Sequence, residues 1–413
     1  MTAKNSIQPP KHSAAIASTA ATTELACDDI PFFTPSIGPD EIAEVVDTLK
    51  NGWLTSGPKV AQLESEFAAF VGATHAIAVN SATSGLHLAL EALGLGAGDR
   101  VVTTTNTFTA TAEVVRYFGA HPIFVDIEPQ TMNINTARIE ALIDSHDRVV
   151  GIIPVHLAGQ ACDLDEIHDI ARRRGLWVVE DAAHALPTTY KRRMIGSHSD
   201  ATVFSFYATK TLTTGEGGMI TTGDPNTAQR MRLMRLHGIN RDSYNRAQDR
   251  VVPWRYEVIA PGYKYNMMDM CAALGIHQLR RASALREQRA EIARRYDNGL
   301  AGTALRLPVS KRQQDQHAHH LYIIQLELEA LTIGRDRFIE MLSDRGIAAS
   351  VHFIPLHLQP YWRDTYGLNP SDFPVANAVF ERCVSLPIYP SLKHQSVDRV
   401  IEAVRDVLNA HAR

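Results

Sequence analysis

The most informative stretch of this chain is SFYATKTLTTGEGG, residues 205–218. Its lysine, Lys210, lies between two strand-like runs, residues 202–206 and 218–222, and is followed by a glycine-rich segment. Glycines adopt backbone conformations that other residues avoid, so the chain can turn tightly and hold the lysine close to a ligand. An amine that attacks a carbonyl must be partly deprotonated, and burial near a positive charge achieves this. We therefore predict that Lys210 is a nucleophile rather than a solvated surface charge.

A second candidate group is a carboxylate at the end of an apolar run. Residues 176–181, LWVVED, read as a strand that ends in Glu180 and Asp181. Ligands of open parallel sheets bind at the carboxyl ends of the strands, which places Asp181 at the mouth of a site, whereas strand alternation turns Glu180 the other way. A carboxylate there can keep a pyridine nitrogen protonated. Taken alone, Asp181 could equally cap a helix.

A third element is the segment Asn80–Gly85, which lies between a short strand-like run and the helical run Leu86–Leu93. Free backbone N–H groups at a helix start, together with hydroxyl groups, form a site for an anion such as a phosphate. Ser205 is placed to reach the same phosphate. A plain helix cap is the alternative interpretation of this segment.

The order of predicted elements indicates the fold class. After residue 60, helical patterns alternate with short β-branched runs, as in βαβ units that build a mostly parallel sheet covered on both faces. We predict seven strands in this sheet: residues 76–79, 100–104, 122–125, 149–154, 176–180, 202–206 and 218–222.

The C-terminal third follows a different layout. A long helical pattern, residues 268–299, leads into a smaller α+β unit. We predict its elements as the strand 321–326, the helix 335–345, the strand 348–352 and a closing helix from about Ser396. A chain of 413 residues exceeds what one hydrophobic core usually serves. The predicted division is a flexible Ala/Thr/Ser-rich leader, 1–28, a large domain, 29–286, and a small domain, 287–413.

Composition and charge exclude several classes of function. A net charge of -4 with mixed signs gives no basic surface for a nucleic acid, and no run approaches the roughly 20 apolar residues of a membrane span. The cluster His317, His319 and His320 fits no standard zinc spacing, so no metal site is predicted. The four cysteines show no disulfide framework, which predicts a reducing, cytoplasmic location: Cys27, Cys162, Cys271 and Cys383.

Together, several motifs resemble those of the DegT/DnrJ/StrS-type sugar aminotransferases, in the family's order, between about Ile30 and Leu408. Within the family the chain is most similar to the aminotransferases that make UDP-4-amino-4-deoxy-L-arabinose and related 4-amino sugars. The motifs are GWLTSGP at 52–58, NSATSG at 80–85, PVHLAG at 154–159, EDAAHA at 180–185, residues 205–218, and GYKYN at 262–266.

The resemblance implies aminotransferase fold type I and the cofactor pyridoxal 5'-phosphate (PLP). It implies that Lys210 binds the cofactor covalently and that Asp181 partners its pyridinium nitrogen. The amides of Ala82 and Thr83, with Ser205, are expected on the phosphate.

Three further positions match residues of the family, and two of them have an alternative role. Phe108 matches the aromatic residue that stacks on the cofactor ring. His184 matches a Gln or His near the ring hydroxyl, although packing or capping would also account for it. Asn266 matches an asparagine that reaches the phosphate of the neighbouring subunit, which implies a homodimer with shared sites; a helix N-cap is its alternative role. The stretch 351–357, VHFIPLH, resembles the family's small-domain segment near the substrate, where His352 and His357 are functional or structural.

The implied reaction moves an amino group from an amino acid, L-glutamate by resemblance, to a nucleotide-linked keto sugar, favouring a UDP-4-keto sugar in bacterial surface-glycan or related amino-sugar synthesis. One alternative is a PLP-dependent sugar dehydratase on the same fold, but such relatives carry His at the position of Lys210. A ligand-sensing regulator is another alternative, although no helix-turn-helix or basic recognition helix is evident. The sugar, its nucleotide and the position of the keto group stay open.

Overall fold

The computed structural model describes residues 29–241, 244, 252 and 254–413. The predicted leader, residues 1–28, lies outside the described residues. Ile30 pairs through its backbone with Ile347 and packs in the C-terminal core. The start of the described chain is therefore tied to its C-terminal third.

A seven-stranded sheet forms the centre of the fold. Its strands are β1 (His75–Val79), β2 (Arg100–Thr104), β3 (His121–Val125), β4 (Val149–Ile152), β5 (Trp177–Asp181), β8 (Ala201–Ser205) and β9 (Gly218–Thr222), while β6 (Thr189–Tyr190) and β7 (Arg193–Met194) form a separate hairpin. The order across the sheet is β1-β9-β8-β5-β4-β2-β3, and only β9 runs antiparallel to its neighbours. The predicted mostly parallel, seven-stranded sheet is confirmed.

Helices cover both faces of this sheet, and its strands are accordingly buried along almost their whole length. They are α1 (Pro39–Asn51), α2 (Pro58–Val71), α3 (Ala82–Ala92), α4 (Ala110–Arg116), α5 (Ile139–Asp144), α6 (Leu164–Arg174), α7 (Pro225–Met234) and α8 (Asp269–Leu300). Of the helices described, none combines the length and the apolar character that crossing a membrane requires.

Helix α1 does not bury the apolar face that its sequence suggests. Ile42 and Leu49 are exposed by 57% and 52%, whereas Glu41 is buried and accepts hydrogen bonds from Gln278 and Arg281 of α8. Polar contacts to the long helix therefore override the hydrophobic pattern of α1.

The C-terminal unit is a three-stranded antiparallel sheet with helices. It contains β10 (Leu305–Arg306), β11 (Tyr322–Leu326), β12 (Cys383–Leu386), α9 (Arg335–Ser343), α10 (Pro360–Tyr366), α11 (Pro374–Arg382) and α12 (His394–Ala410). The predicted strand 348–352 is wrong, because this segment pairs only at single residues, Ser350 with Ser385 and Ile347 with Ile30. The residues that follow turn into the wall of a cavity instead. The other two strands of this sheet, β10 and β12, were not predicted. A domain boundary at residue 286, within α8, stays a prediction.

A close backbone approach joins the central sheet to α3. An added Cβ at Gly218, the first residue of β9, would lie 2.8 Å from the carbonyl oxygen of Phe204 and 2.9 Å from the amide nitrogen of Ala82. Both are backbone atoms, which cannot move aside as a flexible side chain does. Glycine at this position therefore brings the first turn of α3 against the strands β8 and β9.

We expect Gly218→Ala to lower the free energy of unfolding by roughly 1–3 kcal/mol, because the methyl group must displace backbone. Since α3 carries the predicted phosphate amides, the same change should weaken PLP binding. Urea unfolding and equilibrium PLP titration measure the two effects. The matched control is Gly223→Ala just after the same strand, where an added Cβ meets nothing within 4 Å; equal effects of the two changes would contradict the close-approach argument.

Candidate active site

A cavity of about 620 Å³ lies at the carboxyl ends of the central strands, where the C-terminal unit closes over them. Seven of the eight predicted site residues line it: Ala82, Thr83, Phe108, Asp181, His184, Ser205 and Lys210. The eighth, Asn266, lines a separate groove. The sequence motifs thus converge in space, although the role of each residue stays a prediction.

Lys210 lies in the loop that leaves β8. Its backbone N–H donates to the carbonyl of Tyr207 at 3.0 Å, which turns the chain after the strand. Burial lowers the pKa of the Lys210 amine from 10.5 to about 8, although the nearby negative charge of Asp181 raises it. Near neutral pH an appreciable fraction of this amine is therefore uncharged and able to act as a nucleophile or base.

Asp181 ends β5 and is fixed on both sides. Its carboxylate accepts a hydrogen bond from Thr111 Oγ1 at 2.7 Å and one from the N–H of Ala183 at 3.1 Å. Its backbone N–H donates to Pro154 and its carbonyl accepts from the N–H of His156. Sequence reasoning missed Thr111; its hydroxyl, four residues after that of Thr107, is the local signal that could have identified it.

Glu180 points to the opposite side of the sheet, as strand alternation predicts. Its carboxylate is fully buried, accepts from Thr202 Oγ1 at 3.0 Å, and lies 2.7 Å from His156 Nε2. The hydrogen bond from His156 holds the pKa of Glu180 below its ordinary value although burial raises it. The prediction that only Asp181 of this pair faces the cavity is confirmed.

The first turn of α3 offers free donors to the cavity. Ser81 caps the helix, since its hydroxyl accepts from the N–H of Ser84 at 3.1 Å. The amides of Ala82 and Thr83, the first two helical positions, have no protein acceptor in the described part of the chain. Ser205 Oγ accepts from the N–H of Tyr207 at 3.3 Å, so its own proton stays free to donate. This combination fits a phosphate at a helix N-terminus.

Two ring-bearing residues, Phe108 and His184, line the cavity. Phe108 is 59% exposed, so one face of its ring is free to stack on a planar ligand. His184 is buried, and its Nδ1 accepts the N–H of Ala158 at 3.3 Å. Burial, and then the charge of Lys210, hold the pKa of His184 well below 6.5, so the ring is neutral and carries its proton on Nε2.

Asn266 lies beside the cavity rather than on it. It donates to Ser56 Oγ at 2.7 Å, accepts from Lys264 Nζ at 2.5 Å, and its backbone pairs with Val79. The alternative role as a helix cap is wrong, because α8 begins at Asp269 with Met268 as its N-cap. A role toward a neighbouring subunit stays a prediction.

Sequence reasoning missed several residues of the cavity wall. Phe32 and Phe33 come from the N-terminal segment and His320 from the C-terminal unit. His352, which was singled out without a definite role, lines the cavity too, and its ring stacks on Phe32 with centroids 5.5 Å apart. Nothing local in the sequence marks these positions, since their approach depends on how the two units pack.

The histidine cluster near residue 318 does not form one group. The rings of His317 and His319 stack on each other at 4.3 Å, while the ring of His320 lies against His184 instead. Among the described residues, no three His, Cys, Asp or Glu side chains are grouped so that they could hold a metal ion.

The groups around the cavity fit PLP. Free amides with Ser205 suit its phosphate, the fixed carboxylate of Asp181 suits a protonated ring nitrogen, and the partly neutral amine of Lys210 suits its aldehyde. No other lysine of the described residues lines this cavity.

A profile of the DegT/DnrJ/EryC1/StrS aminotransferase family matches residues 35–405. The chain belongs to this family. It is 48% identical over 380 residues to the spore coat polysaccharide biosynthesis protein SpsC of Bacillus subtilis, covering 92% of this chain and 97% of SpsC.

Solved structures of this family share the fold. Spr1654 of Streptococcus pneumoniae, described as a sugar aminotransferase, is 35% identical in its PMP form, with a TM-score of 0.87 over 92% of this chain and 100% of that chain. The same protein has been solved in a PLP form. PseC of Helicobacter pylori, an aminotransferase of pseudoaminic acid biosynthesis, is 27% identical with a TM-score of 0.85, covering 92% of this chain and 100% of that chain. The predictions of the family, the fold, the enzyme class and the cofactor PLP are thereby confirmed.

The lowered pKa of Lys210 makes the reactivity of the apoenzyme depend on pH. We expect the rate of PLP attachment to rise with pH through a midpoint near 8, because the neutral amine forms on deprotonation, whereas an ordinary lysine would give a midpoint near 10.5. Absorbance after rapid mixing measures the rate, and a free lysine derivative run in parallel reports the ionisation of PLP itself.

A change at Asp181 provides a second test of the same electrostatics. Asp181→Asn should move the midpoint to lower pH, because the negative charge of Asp181 raises the pKa of Lys210. A midpoint near 10 in the unchanged protein, or an upward shift in the variant, would contradict the assigned electrostatics.

Proposed function

We propose that this enzyme transfers the amino group of L-glutamate to the keto carbon of a nucleotide-linked sugar, a UDP-4-keto sugar, in cytoplasmic synthesis of a surface glycan or related amino sugar. The observation that carries the proposal is the convergence of Lys210, Asp181 and the free amides of α3 on one cavity. The sugar class is supported by Spr1654, SpsC and PseC, whose names concern sugars, a polysaccharide and pseudoaminic acid.

The chain's own groups account for amino transfer between two carbons. Bound PLP supplies an electron sink that makes a proton on the adjacent carbon removable. Lys210 Nζ, with a pKa near 8, takes that proton from the α-carbon of the donor and delivers a proton to the sugar carbon. Asp181 holds a proton on the ring nitrogen, and Thr111 keeps the carboxylate in place.

The dehydratase alternative is disfavoured by the same lysine. A dehydratase of this fold is expected to carry histidine at position 210, where no amine would be available to shuttle the proton. A regulator without catalysis would not need an amine of lowered pKa opposite a fixed carboxylate.

A substrate panel tests the reaction. We expect the holoenzyme to aminate a UDP-4-keto sugar with L-glutamate, and to do so faster than it aminates dTDP- or GDP-linked keto sugars, with mass spectrometry following the amino sugar. Lys210→Ala should lose at least about 10²-fold in turnover, because no other group replaces the proton shuttle. The control is Lys191→Ala, an exposed lysine far from the cavity lining. Release of water from the sugar without amination would favour the dehydratase.

We also propose a homodimer in which Asn266 completes the phosphate site of the partner subunit. Asn266 is held in place by Ser56 and Lys264, and its strand segment lies next to the loop that leads into α3. It does not line the cavity of its own chain.

Mixed dimers test this arrangement. Asn266→Ala alone should weaken PLP binding roughly 10- to 100-fold, the loss of one hydrogen bond to a charged group. A dimer of a Lys210→Ala chain with an Asn266→Ala chain contains one intact site if Asn266 acts across the interface, so activity at limiting PLP should recover. The control mixes a Lys210→Ala chain with an Asp181→Asn chain. Because Lys210 and Asp181 belong to the cavity of the same chain, each site of this mixed dimer lacks one of them and no intact site forms. No recovery in the first mixture would refute site sharing.

A further inference from the structure

Two imidazoles pack against each other in one wall of the cavity. The rings of His184 and His320 have centroids 4.3 Å apart and planes tilted by 48°. His184 follows β5 of the central sheet, whereas His320 comes from the C-terminal unit just before β11. Nothing in the mechanism above uses His320.

A single residue, Ala158, holds both histidines. Its N–H donates to His184 Nδ1 at 3.3 Å, and its carbonyl accepts from the backbone N–H of His320 at 3.0 Å. The two peptide groups that flank Ala158 therefore hold the ring of His184 and the backbone of His320.

The proton of His320 lies on the nitrogen that faces the cavity. Burial, and then the proximity of His184 and Lys210, hold the pKa of His320 well below 6.5, so its ring is neutral. Its Nδ1 is buried without a partner among the described residues, whereas Nε2 is not enclosed and the ring lines the cavity. A buried N–H without an acceptor is rarer than an acceptor without a donor, which assigns the proton to Nε2.

A buried positive charge lies directly behind this wall. Arg289 is 1% exposed, and its Nη1 donates to the carbonyl of Ile388 at 2.8 Å and more weakly to that of His320 at 3.4 Å. Burial lowers its pKa to about 9, and no carboxylate of the described residues offsets this, so the guanidinium stays charged at neutral pH. An uncompensated buried cation favours an anion on the far side of His320.

We propose that His320 Nε2–H donates a hydrogen bond to a carboxylate oxygen of the amino donor, a role that rests on the amino transfer proposed above. Among the described residues that line the cavity, Lys210 is the only lysine or arginine, and Asp181 and Glu216 are the acidic groups. Within this described lining, the carboxylate has no arginine to pair with. The same cavity must next accept a sugar. A guanidinium in the cavity lining would then be left desolvated and without a partner, whereas a neutral imidazole carries no charge that needs one.

The test compares two variants of His320 in the holoenzyme. His320→Phe keeps an aromatic ring against His184 but has no donor, whereas His320→Gln places an amide N–H near the position of Nε2. In single-turnover titrations with L-glutamate, followed by cofactor absorbance, we expect His320→Phe to raise the half-saturating concentration roughly 10- to 100-fold and His320→Gln to recover most of that loss. The sugar half-reaction should lose less than the glutamate half-reaction.

The outcomes separate this inference from the proposed function. If the unchanged enzyme does not react with L-glutamate or another amino acid, the proposed function fails. If it reacts and His320→Phe saturates at the same concentration, or if only the sugar half-reaction is weakened, the role of His320 is overturned. Should His320→Phe not fold, His320→Asn against His320→Gln gives the same contrast, because the shorter amide does not reach the position of Nε2.

Discussion

The structure depends on holding the amine of Lys210 and the carboxylate of Asp181 in one cavity while each keeps its own function. Burial lowers the pKa of Lys210 to about 8, while the attraction of Asp181 works in the opposite direction. These two opposing effects leave the Lys210 amine able to be either cationic or neutral, as the proton transfer requires. Thr111 and the N–H of Ala183 occupy the carboxylate of Asp181 and keep it in its place at the end of β5.

Much of the architecture serves that pair. The antiparallel strand β9 begins with a glycine, which allows the N-terminus of α3 to approach strands β8 and β9. On the reverse face, Glu180 and His156 form a buried polar contact that ties the segment after β4 to β5. The parallel sheet thus places groups from four separate loops at one edge, as open α/β sheets do.

The central sheet and most of the site could be predicted from the sequence, because they follow from strand periodicity and from motifs whose residues are close in the chain. Lys210, Asp181 and the α3 amides are of this kind. The strand expected at 348–352 and the buried polar face of α1 could not, since tertiary contacts, not local pattern, decide them. His320 and Phe32 escaped for the same reason: they reach the cavity only when distant parts of the chain pack together.

The packing of these distant parts of the chain affects how one cavity can bind two different substrates. A site that pairs each charged substrate group with a charged side chain is costly to empty, because the side chain stays buried without a partner when the second substrate enters. Here the second charge, that of Arg289, lies behind the wall and is bound by carbonyl oxygens of the chain itself. The neutral rings of His184 and His320 face the ligand instead. This division suits an enzyme that must bind an anionic amino donor and then a hydroxyl-rich acceptor. The positive field of Arg289 is permanent, whereas the groups that donate hydrogen bonds to the ligand are uncharged.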